Sequence, residues 1–229
     1  MPVALTTVMR AVLGTALFLC AAGAAMADTT ADRALIEAGG RGDAAAVQKL
    51  LGEGGSVTAR DEQGRTALLA ATHAAPGVAT EVARLLIAAG ADVNAKDDLE
   101  DSPYLYAAAE GRNDILKLTL AHGADLKSTN RYGGTGLIPA AHHGHLETVR
   151  ILLGTAIDKD HVNKLGWTAL LEAVILGGGG PVHTEIVREL VQAGAGVSIA
   201  DRDGATPLAH ARRRGYAAMV AILEKAGAR

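Results

Sequence analysis

From Thr66 onward the chain alternates short polar turns with two kinds of apolar stretch, and the alternation returns at a fixed interval. Thr66-Ala67-Leu68-Leu69 is echoed by Ser102-Pro103-Tyr104-Leu105, Thr135-Gly136-Leu137-Ile138, Thr168-Ala169-Leu170-Leu171 and Thr206-Pro207-Leu208-Ala209. The starts lie 36, 33, 33 and 38 residues apart. A period near 33 marks stacked units, each too small to bury its own apolar face. Five residues before each hydroxyl position stands Asp61, Asp97, Asn130, Asn163 or Asp201, and three residues after that comes Gly64, Glu100, Gly133, Gly166 or Gly204. Asx at the first position and Gly at the fourth predict a type I turn, so each unit opens with a tight projecting hairpin. Glu100 breaks the pattern and predicts a distorted turn. The Thr or Ser then caps a helix, with Pro103 and Pro207 in its first turn.

Two short helices follow in each unit. The first is rich in small residues (Ala70-Ala71, Ala107-Ala108, Ala140-Ala141, Ala173-Val174), which permits close approach of neighbouring helices, and it ends near Gly111, Gly144 and Gly215. The second carries an apolar stripe at i, i+3 and i+4, as in Val149, Leu152 and Leu153. Gly90-Ala91-Asp92, Gly123-Ala124-Asp125 and Gly194-Ala195-Gly196 close three units.

Together, Asx-x-x-Gly-x-Thr-Pro-Leu, Ala-Ala, Gly-His-x-Glu (Gly144-His145-Leu146-Glu147), Leu-Leu and Gly-Ala-Asp resemble the ankyrin repeat. The resemblance implies an all-α solenoid of about six helix-turn-helix units with projecting β-hairpin turns. The units fall at approximately 30–61, 62–97, 98–130, 131–163, 164–201 and 202–229, within a single domain over 28–229. The family's usual His after Pro-Leu is replaced by Leu69, Leu105, Ile138, Leu171 and Ala209, so apolar packing is expected to replace its hydrogen bonds. Arg212 and Glu224 put charge at stacking positions, which marks 202–229 as the C-terminal cap. Ala34 to Val57 keeps the helical rhythm but has Arg33 at the hydroxyl position, and it reads as the N-terminal cap.

Residues 1–27 differ from the rest. Arg10 is their only charge, an apolar run from Ala11 to Met26 follows, and Ala25-Met26-Ala27 offers small residues before Asp28. A cleaved secretory signal peptide is expected, with a retained anchor as the alternative. Leu19 before Cys20 is too large for lipoprotein processing. Cys20 is the only cysteine, so the mature chain holds by burial without disulfides. Without Arg10, 21 basic residues face 25 acidic ones, a net charge near −4 that does not fit a nucleic-acid binder. The expected location is the bacterial periplasm, with secretion to the medium as the alternative. The expected state is a monomer that leaves the membrane after cleavage.

No Gly-x-Ser-x-Gly elbow, His-Glu-x-x-His or Gly-Lys-Ser/Thr phosphate loop is present, so no enzyme activity and no cofactor are expected. Gly177-Gly178-Gly179-Gly180-Pro181 lengthens one interhelical connection by five residues and Ala74-Ala75-Pro76-Gly77 another by three. They read as flexible connectors, with the loops at 74–79 and 177–183 as secondary surfaces. His142, His143 and His145 crowd together, but no Cys or paired carboxylate joins them at ligand spacing, so no metal site is assigned. The resemblance implies that a protein partner is held by the finger tips and the concave groove. The tips change sign along the chain, from Asp97, Asp98, Glu100 and Asp101 to Lys127, Arg131 and Tyr132, then Lys159, Lys164 and Trp167. Trp167, the only Trp, suits a binding anchor or a packing residue at the hairpin base. In register, Tyr106, Glu172 and His210 share one row of the groove, and His73, His142 and Arg213 the next. The candidate partner-binding residues are therefore Trp167, Lys164, Tyr132, Arg131, Asp98, Asp101, Tyr106, Glu172 and His142. The expected function is a non-catalytic interaction scaffold. The alternative is a metal or small-ligand binder, or an accessory to a periplasmic redox or stress enzyme, working through the His-rich groove.

Overall fold

Turn chemistry sets the frame, and the computed structural model, which describes residues 30–229, shows the same turn five times. In each finger the fourth residue's N–H donates to the Asx carbonyl, as Gly64 does to Asp61 at 3.0 Å, and the Asx N–H donates to the fifth residue's carbonyl. The Asx side-chain oxygen accepts two further backbone N–H groups; Asn163 Oδ1 takes those of Leu165 and Trp167 at 2.9 and 3.0 Å. The fingers are turns closed by these bonds, and no strand is formed among the described residues. Glu100 does not distort its turn. It adopts φ +62°, the left-handed conformation of the four glycines at this position, and makes the same bonds. The departure from Gly appears as local backbone strain instead of a change of shape.

Behind the fingers lie paired helices: α1 (described over 30–41) with α2 (Ala44–Gly52), α3 (Ala67–His73) with α4 (Pro76–Ala88), and α5 (Pro103–Ala109) with α6 (Asn113–Ala121). They continue as α7 (Leu137–His143) with α8 (Leu146–Leu153), α9 (Ala169–Ile175) with α10 (Pro181–Gln192), and α11 (Pro207–Arg213) with α12 (Ala217–Lys225). From α3 onward, odd-numbered helices pack on odd-numbered ones in an inner layer; from α2 onward, even-numbered helices pack on even-numbered ones in an outer layer. The core runs continuously between the layers, through Leu68, Leu86, Leu116, Leu137, Leu152, Leu170, Ile186 and Leu208. Each such side chain contributes about 1.5–3 kcal/mol by leaving water. Ala71, Ala107, Ala108, Ala140, Ala141 and Ala173 are fully buried, which lets the inner helices approach closely. Leu69, Leu105, Ile138 and Leu171 are buried as apolar packing residues, whereas Ala209 in the last unit is exposed.

Thr66, Ser102, Thr168 and Thr206 cap their helices by accepting the N–H three residues on. Thr135 does not. The cap of α7 is Gly136, which donates no side-chain group, and Thr135 Oγ1 is buried without a hydrogen-bond partner. The neighbouring unit explains the exchange of a larger residue for Gly. Tyr104 stands where other units have Leu, its ring is fully buried, and a Cβ on Gly136 would lie 3.0 Å from both Tyr104 Oη and Ala108 Cβ. Tyr104 Oη is likewise buried and unpartnered.

At the C-terminal end Arg212 and Glu224 pair with each other at 2.6 Å on the exposed last face. The glycine-rich connection is not slack. Gly179 takes φ +70° and lies flat against the Tyr216 ring, where any Cβ would come within 2.4 Å, and Tyr216 Oη donates to the Gly177 carbonyl. The expected leader at 1–27 lies outside the described residues.

Candidate functional site

The fingers are tied to one another and to the inner helices, so the surface they present is pre-organised. Asp98 N–H donates to the Gln63 carbonyl and Lys164 N–H to the Tyr132 carbonyl. Lys96 Nζ reaches the Thr129 carbonyl, His161 Nε2 the Gly133 carbonyl, and Lys164 Nζ the Arg131 carbonyl. Polar donors therefore link neighbouring fingers, where apolar packing alone was expected. Two fingers are also pinned to the helix behind them: Asn163 Nδ2 donates to Glu172 at 2.9 Å, and His210 Nε2 donates to Asp201 at 2.6 Å. On the opposite edge a side chain from each of three units donates to the end of the previous inner helix. Arg112 bonds the Ala74 carbonyl, His143 that of Ala109, and His183 that of His142.

Between fingers and inner helices lies a concave groove in two stretches that share His73. The first, about 690 Å³, is lined by Ile36, Arg60, Asp61, Gln63, Arg65 and His73 among others. The second, about 590 Å³, runs from His73 and Tyr106 past Asp101, Arg131, Tyr132 and His142 to Glu172 and Leu176. Four of the large apolar side chains exposed among the described residues line this second stretch: Leu99 (57%), Tyr132 (52%), Leu165 (47%) and Leu176 (43%). Leu99, Tyr132 and Leu165 occupy the same third position of three consecutive turns, where Gln63 and Asp203 flank them. The result is an apolar stripe along three finger tips, with solvent on one side and the groove on the other.

The groove's ionisable residues meet diagonally, one unit on. His73 stacks on Tyr106 with ring centroids 3.7 Å apart, and His142 Nδ1 lies 3.4 Å from Glu172 Oε2. Burial dominates these sites. It pushes the Glu172 carboxyl above the ordinary range despite its bond from Asn163, and it lowers His142, helped by His143 and His183. His73 is lowered by burial and by Arg65. Asp101 is raised by burial and by Asp97, and its partner Arg131 is distant at 3.8 Å. The Arg131 guanidinium lies 4.9 Å from the centre of the Tyr132 ring.

Six of the nine expected contact residues therefore come together here: Asp101, Tyr106, Arg131, Tyr132, His142 and Glu172. Glu172 is buried and committed to Asn163, so its role is chiefly to hold the finger. Asp98 and Lys164 sit on exposed tips outside the lining, and Trp167 is half-buried at the base of its finger, also outside it. Leu99, Leu165 and Leu176 were not legible as contact residues from charge patterning. The third turn position, read down the repeats, carries the signal for the two leucines at the tips. Among the described residues no group of three or more His, Cys, Asp or Glu side chains is placed to hold a metal ion.

A two-layer helical stack with hydrogen-bonded fingers and a concave groove defines a repeat solenoid of the interaction type. Sequence profiles described as Ankyrin repeats (3 copies) match residues 104–195 and 157–229, and one described as Ankyrin repeat matches 63–98. The chain belongs to the ankyrin repeat family. It is similar to the crystal structure of an ankyrin repeat domain from Acinetobacter baumannii, with 53% identity and a TM-score of 0.81, covering 85% of this chain and 98% of that one. A second crystallised ankyrin repeat protein shares 41% identity at a TM-score of 0.80, with the same coverage. The ankyrin repeat domain of Bcl-3, described as a member of the IkappaB family, shares 29% at 0.74, covering 86% of each chain. No curated protein matches the sequence. Ankyrin repeat domains are in general non-catalytic modules that mediate protein–protein interaction.

Proposed function

We propose that this protein is a non-catalytic scaffold of the bacterial periplasm that holds a protein partner in the second stretch of the groove. The observation that carries the reading is the convergence of Leu99, Tyr132, Leu165 and Leu176, all exposed, on one concave surface. Exposed apolar side chains gathered in one place mark an interaction surface, whereas scattered ones are ordinary. The periplasmic location rests on the leader pattern of residues 1–27.

Affinity capture from a periplasmic extract tests the proposal, with bound proteins compared between the wild type, Tyr132→Ser and Leu165→Ser. Each anchor's burial contributes about 1.5–3 kcal/mol, so loss of one weakens capture by about tenfold or more. Capture that survives both substitutions, in variants that melt like the wild type, removes the groove from consideration. Trp167→Ala lies outside the lining and serves as the comparison. A mature N-terminus at Asp28 in the periplasmic fraction supports the location, and retention of residues 1–27 in the membrane fraction overturns it.

A further inference from the structure

The apolar stripe is bordered at one end by acids that outnumber the cations around them and make little direct ion pairing. Asp97, Asp98, Glu100, Asp101 and Glu110 lie on the second finger and at the end of α5, and Asp101 and Glu110 line the groove itself. Among the described residues the only ion pair made by any of the five is the long one from Asp101 to Arg131. The nearby cations are committed elsewhere. Lys96 Nζ is bound to the Thr129 carbonyl and Arg112 to that of Ala74, while Arg131 lies over the Tyr132 ring. At Asp101 burial first, then Asp97 and Glu110, push the carboxyl above the ordinary range, and Arg131 and Lys96 offset this only in part. At His73, which floors this end with Tyr106, burial and then Arg65 disfavour the protonated ring. The surface therefore combines aliphatic and aromatic tips with a surplus of negative charge, a pairing that selects partners by charge.

We propose that the groove takes an extended segment of its partner that alternates aliphatic side chains with arginine or lysine. The aliphatic groups cover Leu99, Tyr132 and Leu165, and a cationic group seats between Asp101 and Glu110. This rests on the groove being the partner surface. An extended segment fits because the three tips repeat along a line and side chains of an extended chain alternate in direction. One set faces the tips while the other faces the groove floor.

Short dye-labelled peptides test the assignment by fluorescence anisotropy with the purified protein: Leu alternating with Arg, with Glu or with Ser, and Ala alternating with Arg. The Leu/Arg peptide is expected to bind at least about tenfold more tightly than the other three, and more weakly as salt rises. Asp101→Asn combined with Glu110→Gln is expected to erase that preference, so that the Leu/Arg peptide binds no more tightly than Leu/Ser. Leu165→Ser weakens binding of both Leu-containing peptides. A Leu/Glu peptide that binds as well as Leu/Arg, a preference that survives the neutralised pair, or no binding by any peptide overturns the proposal. Each of those results leaves the scaffold reading standing if Tyr132→Ser still weakens capture from the extract. Unchanged capture with Tyr132→Ser and Leu165→Ser sinks both. Melting curves of each variant exclude misfolding as the cause.

Discussion

Glu100→Gly is expected to stabilise the protein, because Glu100 holds a glycine conformation without being glycine. Its φ is +62°, and its turn makes the bonds made by Gly64, Gly133, Gly166 and Gly204, with Glu100 N–H to the Asp97 carbonyl at 3.0 Å. An L-residue in the left-handed region costs roughly 1–2 kcal/mol. Glycine removes that strain but raises the entropy of the unfolded chain by roughly 0.5–1 kcal/mol. The net gain is about 0.5–1 kcal/mol, or about 1–4 °C in melting temperature for a domain of this size. Urea unfolding followed by circular dichroism measures it, provided the slope with denaturant stays constant. Two controls separate the causes. Glu100→Gln keeps the strain and removes one of four neighbouring negative charges, and its gain is a few tenths of a kcal/mol. Gly204→Ala imposes the strain where a Cβ at φ +78° meets no atom within 4 Å, and it costs about 1 kcal/mol. A Glu100→Gln gain equal to that of Glu100→Gly assigns the whole effect to charge and refutes the strain argument. A destabilised Glu100→Gly refutes it outright.

Gly136→Ala is expected to depend on its neighbour: beside Tyr104 the new methyl meets Oη at 3.0 Å, whereas in Tyr104→Phe that contact and the orphan hydroxyl are both gone. A double-mutant cycle on melting curves should show coupling of about 1 kcal/mol in favour of the double variant, and additivity would count against the packing account. Glu172 has a raised carboxyl, so its contribution to stability is present below the ordinary carboxylate range and is lost as pH rises through its folded value. Glu172→Gln is therefore expected to melt above the wild type near pH 7 with the gap closing toward pH 4, and a gap that widens in acid would contradict this. Replacing Arg212 by Ala and Glu224 by Leu removes the charged lid on the last face. That pair of changes should cause concentration-dependent self-association in sedimentation, with under about 1 kcal/mol change in stability.

What could be read in advance was the chemistry that repeats within a few residues. The Asx–Gly turns, the Thr and Ser caps, the helix-ending glycines and the charged last face each depend on local geometry. Their recurrence near every 33 residues was enough to specify a solenoid. Glu100 shows the limit of that reading, since a departure from Gly can distort a turn or strain it. Only the bonds of the folded finger, held by Gln63 on one side, show which occurred. Thr135 was a cap by pattern, yet the Tyr104 ring of the neighbouring unit goes with a Gly cap and leaves the hydroxyl unpaired. The groove was legible as rows of Tyr106, Glu172 and His210 and of His73, His142 and Arg213. The contacts instead run diagonally, His73 to Tyr106 and His142 to Glu172. That offset comes from how each unit is displaced against the next, a property of stacking that no single repeat encodes. For the same reason Leu99, Tyr132 and Leu165 became one surface only when three fingers were set side by side: residues distant in sequence meet where packing, not turn chemistry, brings them.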